Sequence, residues 1–391
     1  MTARVAQLAN FIGPASGGMK TAVDRLGRGY VEAGAERLLV VPGPRDEVSQ
    51  TAHGRVVQLR APRVGGGYRL IVEPWRVADV LEEFGPTSLE VSDKSTMLPV
   101  ARWARRQGVT AILFSHERLD AMISLRTGWE TGVGAPVALL NRVLVRQFDH
   151  VVVTSRFAQR ELAAVAAAAG TSLHRVPLGV DLETFRPPLR ERRAGRSDDG
   201  VLRLVHVGRL SREKSPHLAV AAAVDLHRRG VPVRLDVYGT GPHRDELEEV
   251  AGDAPVVFHG HVAGRDELAA RIGRAHVALS VCPGETFGLA VLEALACGTP
   301  VVTASYGGAR ELVDHRCGAW GEPDAASLGD AVLDLAARPE RATRAAARAR
   351  AEQFCWSATV AGMAALHGIG DAAVGGTGVS PAAPAPAARP A

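Results

Sequence analysis

Short apolar runs alternate with helical segments along this chain, twice over, and that alternation leaves few folds open. In the first series the strand candidates are Val5–Ala9, Leu38–Val41, Val56–Leu59, Ser88–Val91, Ala111–Ser115 and Val151–Thr154. Helices are predicted at Met19–Ala33, Pro74–Phe84, Leu98–Gln107, Pro136–Phe148 and Arg156–Ala168. Runs that are apolar throughout, such as Val151-Val152-Val153, suit parallel strands covered on both faces. The pattern stops at Phe185-Arg186-Pro187-Pro188, and a charged, Gly-containing stretch follows, so residues 189–200 are predicted to be a linker. A second series has strands at Leu202–Val207, Val233–Tyr238, Val256–His259, Val277–Ser280 and Pro300–Thr303, then helices at Ala325–Ala336, Glu340–Gln353 and Trp356–Leu366. The expected class is α/β, with two Rossmann-like doubly wound parallel-sheet domains over 1–188 and 201–354. Residues 355–369 form a last helix, and the Ala/Pro/Gly-rich stretch 370–391 is predicted to be a disordered tail.

Composition narrows the function classes. With 46% apolar and 23% charged residues the chain reads as a soluble globular protein, and no apolar run of eighteen residues is present to span a membrane. The N-terminus enters a strand at once and does not read as a signal peptide. Four cysteines without C-x-x-C spacing read as reduced thiols, so a cytoplasmic protein is expected. A net charge of +4 does not call for nucleic acid, but it permits contact with an anionic membrane. Arginine fills nearly every basic position; the three lysines, Lys20, Lys94 and Lys214, mark places that want a compact ammonium, and all three are expected in loops near a site.

The chemistry concentrates in Glu285-Thr286-Phe287-Gly288-Leu289-Ala290-Val291-Leu292-Glu293. Two carboxylates sit eight residues apart, the first after the Pro283-Gly284 turn and the second inside an apolar helix. Eight helical residues rise about 12 Å, so both reach one crevice only if the ligand is long, as a nucleotide sugar is. The N–H groups of Phe287, Gly288 and Leu289 open the helix and suit a diphosphate lying between the two ends. The loop Gly208-Arg209-Leu210-Ser211-Arg212-Glu213-Lys214 follows a strand directly and carries two cations for that diphosphate: Arg209 can fork two oxygens, and Lys214 supplies a point charge. In the first half, Gly17 and Gly18 end a Gly-rich turn, Gly13-Pro14-Ala15-Ser16-Gly17-Gly18-Met19-Lys20, which is neither a dinucleotide fingerprint nor a Walker loop. His116, Asp93 and Lys94 follow other strands at equivalent positions, with Asp93, Lys94 and Lys20 as acceptor-side candidates. Gly260-His261-Val262, with Arg265 or Asp266, is the candidate base pocket.

The E-x7-E pattern of Glu285 and Glu293, running into Ala296-Cys297-Gly298-Thr299-Pro300, resembles the signature of the retaining "glycosyltransferases group 1" family, sugar-nucleotide enzymes with the GT-B fold. The resemblance covers about residues 4 to 367. It implies two domains facing across a cleft, with the last helix crossing back to the first domain. It implies that Arg209 and Lys214 hold the donor diphosphate as leaving group, that Glu285 bonds the donor sugar, and that Glu293 takes the ribose hydroxyls. By the same resemblance Gly17 and Gly18 meet the distal phosphate and the acceptor, and His116 lies near the reacting carbon. No D-x-D triplet occurs, in keeping with a metal-independent reaction that needs no cofactor. The blocks Leu89-Glu90-Val91-Ser92-Asp93, Ser115-His116-Glu117-Arg118-Leu119-Asp120 and Val176-Pro177-Leu178-Gly179-Val180-Asp181 resemble the actinobacterial branch that moves mannose from GDP-mannose to a phosphatidylinositol mannoside lipid. The partners implied are a nucleotide-sugar donor and a glycolipid acceptor. Peripheral contact with the inner face of the plasma membrane is expected through the helix around Arg102-Trp103-Ala104-Arg105-Arg106, where an aromatic sits among arginines. The alternatives are transfer from a UDP-sugar to a soluble metabolite or glycan, a GT-B sugar-nucleotide epimerase, and a non-catalytic nucleotide-sugar binder.

Overall fold

The computed structural model describes residues 2–10, 12, 17–64, 68–94, 96–116, 134–188 and 200–370. Most of the predicted linker, the predicted tail from 371, the turn 13–16 and the segment 117–133 after His116 lie outside these residues.

The first half contains β1 (Arg4–Leu8), α1 (Gly18–Glu32), β2 (Glu36–Gly43), β3 (Glu47–Thr51), β4 (Gly54–Arg60), a two-stranded hairpin β5 (Arg63–Val64) and β6 (Tyr68–Arg69), and α2 (Pro74–Phe84). Then come β7 (Ser88–Val91), α3 (Leu98–Arg106), β8 (Thr110–Ser115), α4 (Gly134–Val145), β9 (His150–Val153), α5 (Arg156–Ala169) and β10 (Ser172–Arg175). They build an eight-stranded sheet in the order β10-β9-β8-β7-β1-β2-β4-β3. The central strands are buried on both faces, as Val151, Val152 and Val153 are, and each such side chain contributes roughly 1.5–3 kcal/mol on burial. One edge departs from the all-parallel expectation: β3 runs antiparallel to β4. It escapes an apolar-run reading because every residue of Glu47–Thr51 is exposed.

The second half contains β11 (Leu202–Val207), α6 (Pro216–Arg228), β12 (Val233–Tyr238), α7 (Arg244–Ala251), β13 (Val256–Gly260), α8 (Arg265–Gly273), β14 (Val277–Ser280), α9 (Leu289–Ala296), β15 (Val301–Ala304) and β16 (Gly318–Gly321). Helices α10 (Ala325–Ala336), α11 (Glu340–Ala351) and α12 (Trp356–Leu366) close the chain. The strand order β13-β12-β11-β14-β15-β16 is parallel throughout.

Both sheets reverse their winding beside their first strand. In the first sheet β1 lies between β2 and β7; in the second β11 lies between β12 and β14. Crevices open at such switch points, outside the carboxyl ends of the strands, because the helices on either side lead away in opposite directions. The loops after β1 and β7, and after β11 and β14, carry most of the candidate residues, while His116 follows β8 and Val262 follows β13.

Helix α12 packs on α1 in the first half. Gly29 lies so close beneath Val360 that a Cβ there would come within 2.5 Å of its methyl group. The helix then delivers His367 into the first sheet. The buried His367 ring places Nε2 3.1 Å from Glu90 Oε2 and Nδ1 2.8 Å from Ser88 Oγ. Tyr30 and Gln7 donate to the same carboxylate at 2.7 and 2.9 Å. Burial alone would push the Glu90 carboxyl up, but His367, Tyr30 and Gln7 outweigh it and hold Glu90 below the usual range.

Candidate active site

The loop after β11 ends in a single 3-10 turn, Arg212–Lys214. Ser215 follows with φ of 47°, alone among the described non-glycine residues in a left-handed conformation. That bend turns Lys214 toward the end of β14, where its Nζ donates to Glu285 Oε2 at 2.7 Å. A buried thiol ties the same two strand ends together: Cys282 Sγ donates to the Glu213 carbonyl at 3.2 Å. Burial pushes the Cys282 thiol up to about 11, so it stays protonated as a donor. Burial opposes charge on both members of the Lys214–Glu285 pair, yet each partner outweighs it. Lys214 is held above its ordinary value, and Glu285, which also accepts from the backbone of Phe287 and Thr286, below its own.

Arg209 approaches from the other end of the loop. Its Nη1 donates to Tyr68 Oη at 3.1 Å, and Nη2 lies 3.5 Å from Glu213 Oε1. Tyr68 belongs to the β5–β6 hairpin of the first half, so this bond crosses the cleft.

The Glu285 loop itself is not helical. Helix α9 begins at Leu289, after Gly288 at φ of 99°. Glu285 stands ahead of the helix and Glu293 in its second turn, as expected, but the helix opens at Leu289 and not at Phe287, so the spacing between the two carboxylates is not eight residues of helical rise. Gly307 and Gly308 cradle this loop. A Cβ on Gly308 would lie 2.0 Å from the Thr286 carbonyl, and Gly308 N donates to Glu285 O at 2.6 Å. Gly18 is the first residue of α1 and Leu289 the first of α9. They meet across the cleft, a Cβ on Gly18 falling 3.2 Å from Leu289 Cδ1. Neither helix has a side-chain cap or an acidic residue in its first turn. Two positive helix ends thus converge beside Lys214 and Arg209, a setting that favours a polyanion.

His116 directly follows β8, with its ring 4.2 Å from that of Phe114. Burial pulls the imidazole down to about 4, with Glu90 drawing it up and Lys94 pushing it down. The ring is therefore neutral near pH 7, and its buried Nε2 has no hydrogen-bond partner among the described residues. Thr286 Oγ1 reaches over from the Glu285 loop and donates to the His116 carbonyl at 2.7 Å.

At the far end of α9, Glu293 lies 3.7 Å from Arg265 Nη2. Burial raises its carboxyl to about 7; Arg265 draws it down and Asp181 pushes it up. Arg265 also stands 5.1 Å over the Phe185 ring. Val262 is half-buried and packs on the core beside them.

The acceptor-side candidates are placed differently. Lys20 is in the first turn of α1 and exposed, a helical residue instead of the loop position expected. Lys94 is buried, its Nζ 3.1 Å from Glu161 Oε2. Asp93 is buried too, accepting from Thr96 N at 3.1 Å and Asn10 Nδ2 at 3.4 Å. Among the described residues these two side chains brace the loop from within. Trp103 likewise turns inward, half-buried, with Nε1 donating to Glu82 at 3.0 Å. Tyr68, Thr286, Gly307, Gly308, Ser155 and Glu311 were not singled out by sequence. For the glycine pair a signal existed, a Gly-Gly after a strand, as at Gly17-Gly18.

Comparison with known proteins agrees with this geometry. A family model described as "Glycosyl transferases group 1" matches residues 202–338, and one described as "Glycosyl transferase 4-like domain" matches residues 17–179. The GDP-mannose-dependent alpha-(1-6)-phosphatidylinositol dimannoside mannosyltransferase of Mycobacterium tuberculosis is 40% identical over 375 residues, which is 93% of this chain and 96% of that protein. D-inositol 3-phosphate glycosyltransferase of Frankia alni is 39% identical over 217 residues, half of this chain. Among solved structures, sucrose-phosphate synthase from Thermosynechococcus elongatus superposes with a TM-score of 0.76 at 22% identity, over 93% of this chain and 98% of that one. Anabaena HepE in complex with UDP gives 0.70 at 18% identity over similar shares. With this fold, these switch-point loops and this relative, the chain is a GT-B enzyme belonging to the group 1 glycosyl transferases.

Proposed function

We propose that the protein transfers mannose from GDP-mannose to a phosphatidylinositol mannoside, with retention of configuration and without a metal. The observation that carries this reading is the Lys214–Glu285 pair, 2.7 Å apart, beside Arg209 and two converging helix ends. The mycobacterial relative, similar over nearly the whole of both chains, supplies the donor and acceptor classes.

In this reading the diphosphate lies over the first turns of α1 and α9. Arg209 forks two of its oxygens, exchanging Tyr68 for phosphate, and Lys214 adds its charge. Charge developing on the leaving diphosphate is met by preorganised cations and dipoles, the role a divalent ion fills elsewhere. Glu285, kept ionised by Lys214, accepts from sugar hydroxyls and positions the ring; with Lys214 on its carboxylate it is not the nucleophile. The neutral His116 offers Nε2 as a hydrogen-bonding group for the sugar near the reacting carbon. The departing phosphate oxygen takes the proton of the acceptor hydroxyl as that hydroxyl attacks from the same face. Glu293 accepts from the ribose hydroxyls, with Arg265, Val262 and Phe185 around the base.

No helix among the described residues is long and apolar enough to cross a membrane. A lipid acceptor then needs a docking face, and α4 supplies one: Leu139 and Val143 are 62% and 39% exposed on one side of it. Arg142 and Arg146 lie on or just after α4 and Arg102 and Arg105 on α3, where Arg105 Nη1 donates to the Arg146 carbonyl at 2.8 Å. Apolar side chains flanked by arginines suit an anionic lipid surface.

The direct test is incubation of the purified protein with GDP-mannose, GDP-glucose, UDP-glucose and UDP-galactose, each with phosphatidylinositol mannosides in anionic vesicles, and mass spectrometry of the lipids. One added hexose from GDP-mannose alone is expected. Faster transfer from a UDP-sugar, or transfer only to a water-soluble acceptor, overturns the reading. Flotation on the same vesicles should weaken for Leu139→Asp with Val143→Asp; unchanged flotation removes the α4 face.

A further inference from the structure

We infer that Glu311 is a positioning residue: from the second domain it clasps the N-terminus of α5 in the first, and Ser155 and Thr286 carry that closure to His116 and Glu285. Its two carboxylate oxygens divide between two amides, Oε2 accepting from Arg156 N at 3.0 Å and Oε1 from Phe157 N at 2.6 Å. These are the first two N–H groups of a fourteen-residue helix. Such groups have no partner within their helix, and a carboxylate there meets the positive end of the dipole.

Ser155 completes the contact. Its Oγ caps the third amide, Ala158 N, at 3.1 Å, and donates across the cleft to the Thr286 carbonyl. Thr286 in turn donates from Oγ1 to the His116 carbonyl at 2.7 Å. The residue that follows Glu285 in sequence is thus held at both ends by the first domain. Behind Glu311 the turn Ala309–Leu312 is fixed by Arg350, whose Nη2 and Nε donate to the carbonyls of Glu311 and Leu312 at 3.0 and 2.9 Å. The clasp is therefore rigidly mounted on one side and lands on backbone on the other.

All of these cross-cleft bonds join residues more than 130 positions apart. They form only when the two domains close, and every one of them falls within three residues of Glu285, His116 or the α5 terminus. Closing the clasp fixes where the sugar-binding carboxylate stands relative to the histidine. None of the four contacts uses Arg209, Lys214 or Glu293, the side chains assigned to the nucleotide. The proposed role rests on the transferase reading, in which sugar and acceptor must meet between Glu285 and His116.

The test compares Glu311→Ala and Glu311→Gln with the wild type by three measurements: transfer kinetics, affinity for GDP by calorimetry, and radius of gyration by solution scattering with and without GDP. For Glu311→Ala, kcat should fall on the order of ten- to a hundredfold, the loss expected when a reacting group is displaced by about an ångström. GDP affinity should stay within about threefold, because the clasp does not touch the nucleotide. The radius of gyration should increase. Glu311→Gln keeps one acceptor oxygen and should recover part of both kcat and compactness, which a purely structural defect would not. Wild-type kcat and compactness in Glu311→Ala overturn the inference. So does a loss of GDP affinity at unchanged radius, which would make Glu311 part of the nucleotide site. If the wild type transfers no sugar at all, the transferase reading fails by itself, while scattering and calorimetry still decide the clasp.

Discussion

Glu293 is a largely buried carboxyl whose nearest cation, Arg265, stands off at 3.7 Å. Its carboxyl, ordinarily near 4.5, rises to about 7 in the ligand-free protein. A raised acid binds an extra proton in the folded state between those values. Stability is unaffected below the ordinary value and is lost as pH rises through the folded one. Glu293→Gln should therefore stabilise the ligand-free protein by roughly 2 kcal/mol at about pH 8, a figure discounted for partial solvent access, and by nothing near pH 4. Denaturant midpoints at the two pH values check this; a gain that is equal at both refutes it. Glu285 behaves in the opposite sense because Lys214 is in contact. Glu285→Gln keeps the shape and removes the charge, and turnover should fall on the order of a hundredfold, as for loss of a single preorganised electrostatic group. Near-wild-type turnover would remove its positioning role.

At the scale of the element, the turn Ala309–Leu312 and the loop Glu285–Gly288 form one unit joined by Gly307 and Gly308. Gly308→Ala would press a methyl against the Thr286 carbonyl, 2.0 Å away, and must displace one loop or the other. A fall in kcat of about tenfold or more, with a smaller change in GDP affinity, is expected from steady-state kinetics and calorimetry. This is also where sequence and structure part company. Arg209, Lys214 and Glu285 are legible because strand ends carry short polar loops, and apolar runs such as Val277–Ser280 mark those ends. The start of α9 is legible to within two residues: the run reads as helix from Phe287, and the left-handed Gly288 that delays it to Leu289 has no signal in the sequence. Tyr68 is missed because its hairpin has two residues per strand and no period. Glu311 is missed because its partners are backbone amides about 155 positions away, to which no residue type corresponds. Lys94 is misplaced because a cation after a strand looks the same in sequence whether it faces a ligand or, as here, a buried Glu161.

For the whole molecule, the two sheets and the returning α12 are tied together at several places among the described residues, and two of them matter most. One is the cleft, through Arg209–Tyr68, Ser155–Thr286 and Glu311. The other is the rear, where α12 buries His367 against Glu90. Removing one member of a buried pair strands the other, so His367→Ala should cost about 3 kcal/mol in denaturant unfolding. A loss of that size in the α12 anchor should also leave GDP affinity unchanged, since Glu90 bonds to Gln7, Tyr30 and His367 and not to Arg209, Lys214 or Glu293. The fold class was readable from the two alternating series because parallel strands buried on both faces leave short runs that are apolar throughout. The way the halves close was not, since it depends on side chains meeting backbone across the cleft. In the proposed mechanism the leaving diphosphate and the incoming hydroxyl lie on one face of the sugar, beside a Glu285 already paired to Lys214. The most direct test is the anomeric configuration of the sugar transferred from GDP-mannose to the lipid, read by NMR of the isolated product. An α-linked mannose, matching the donor, is the expected result; a β-linked mannose would mean attack from the opposite face and a different use of this site.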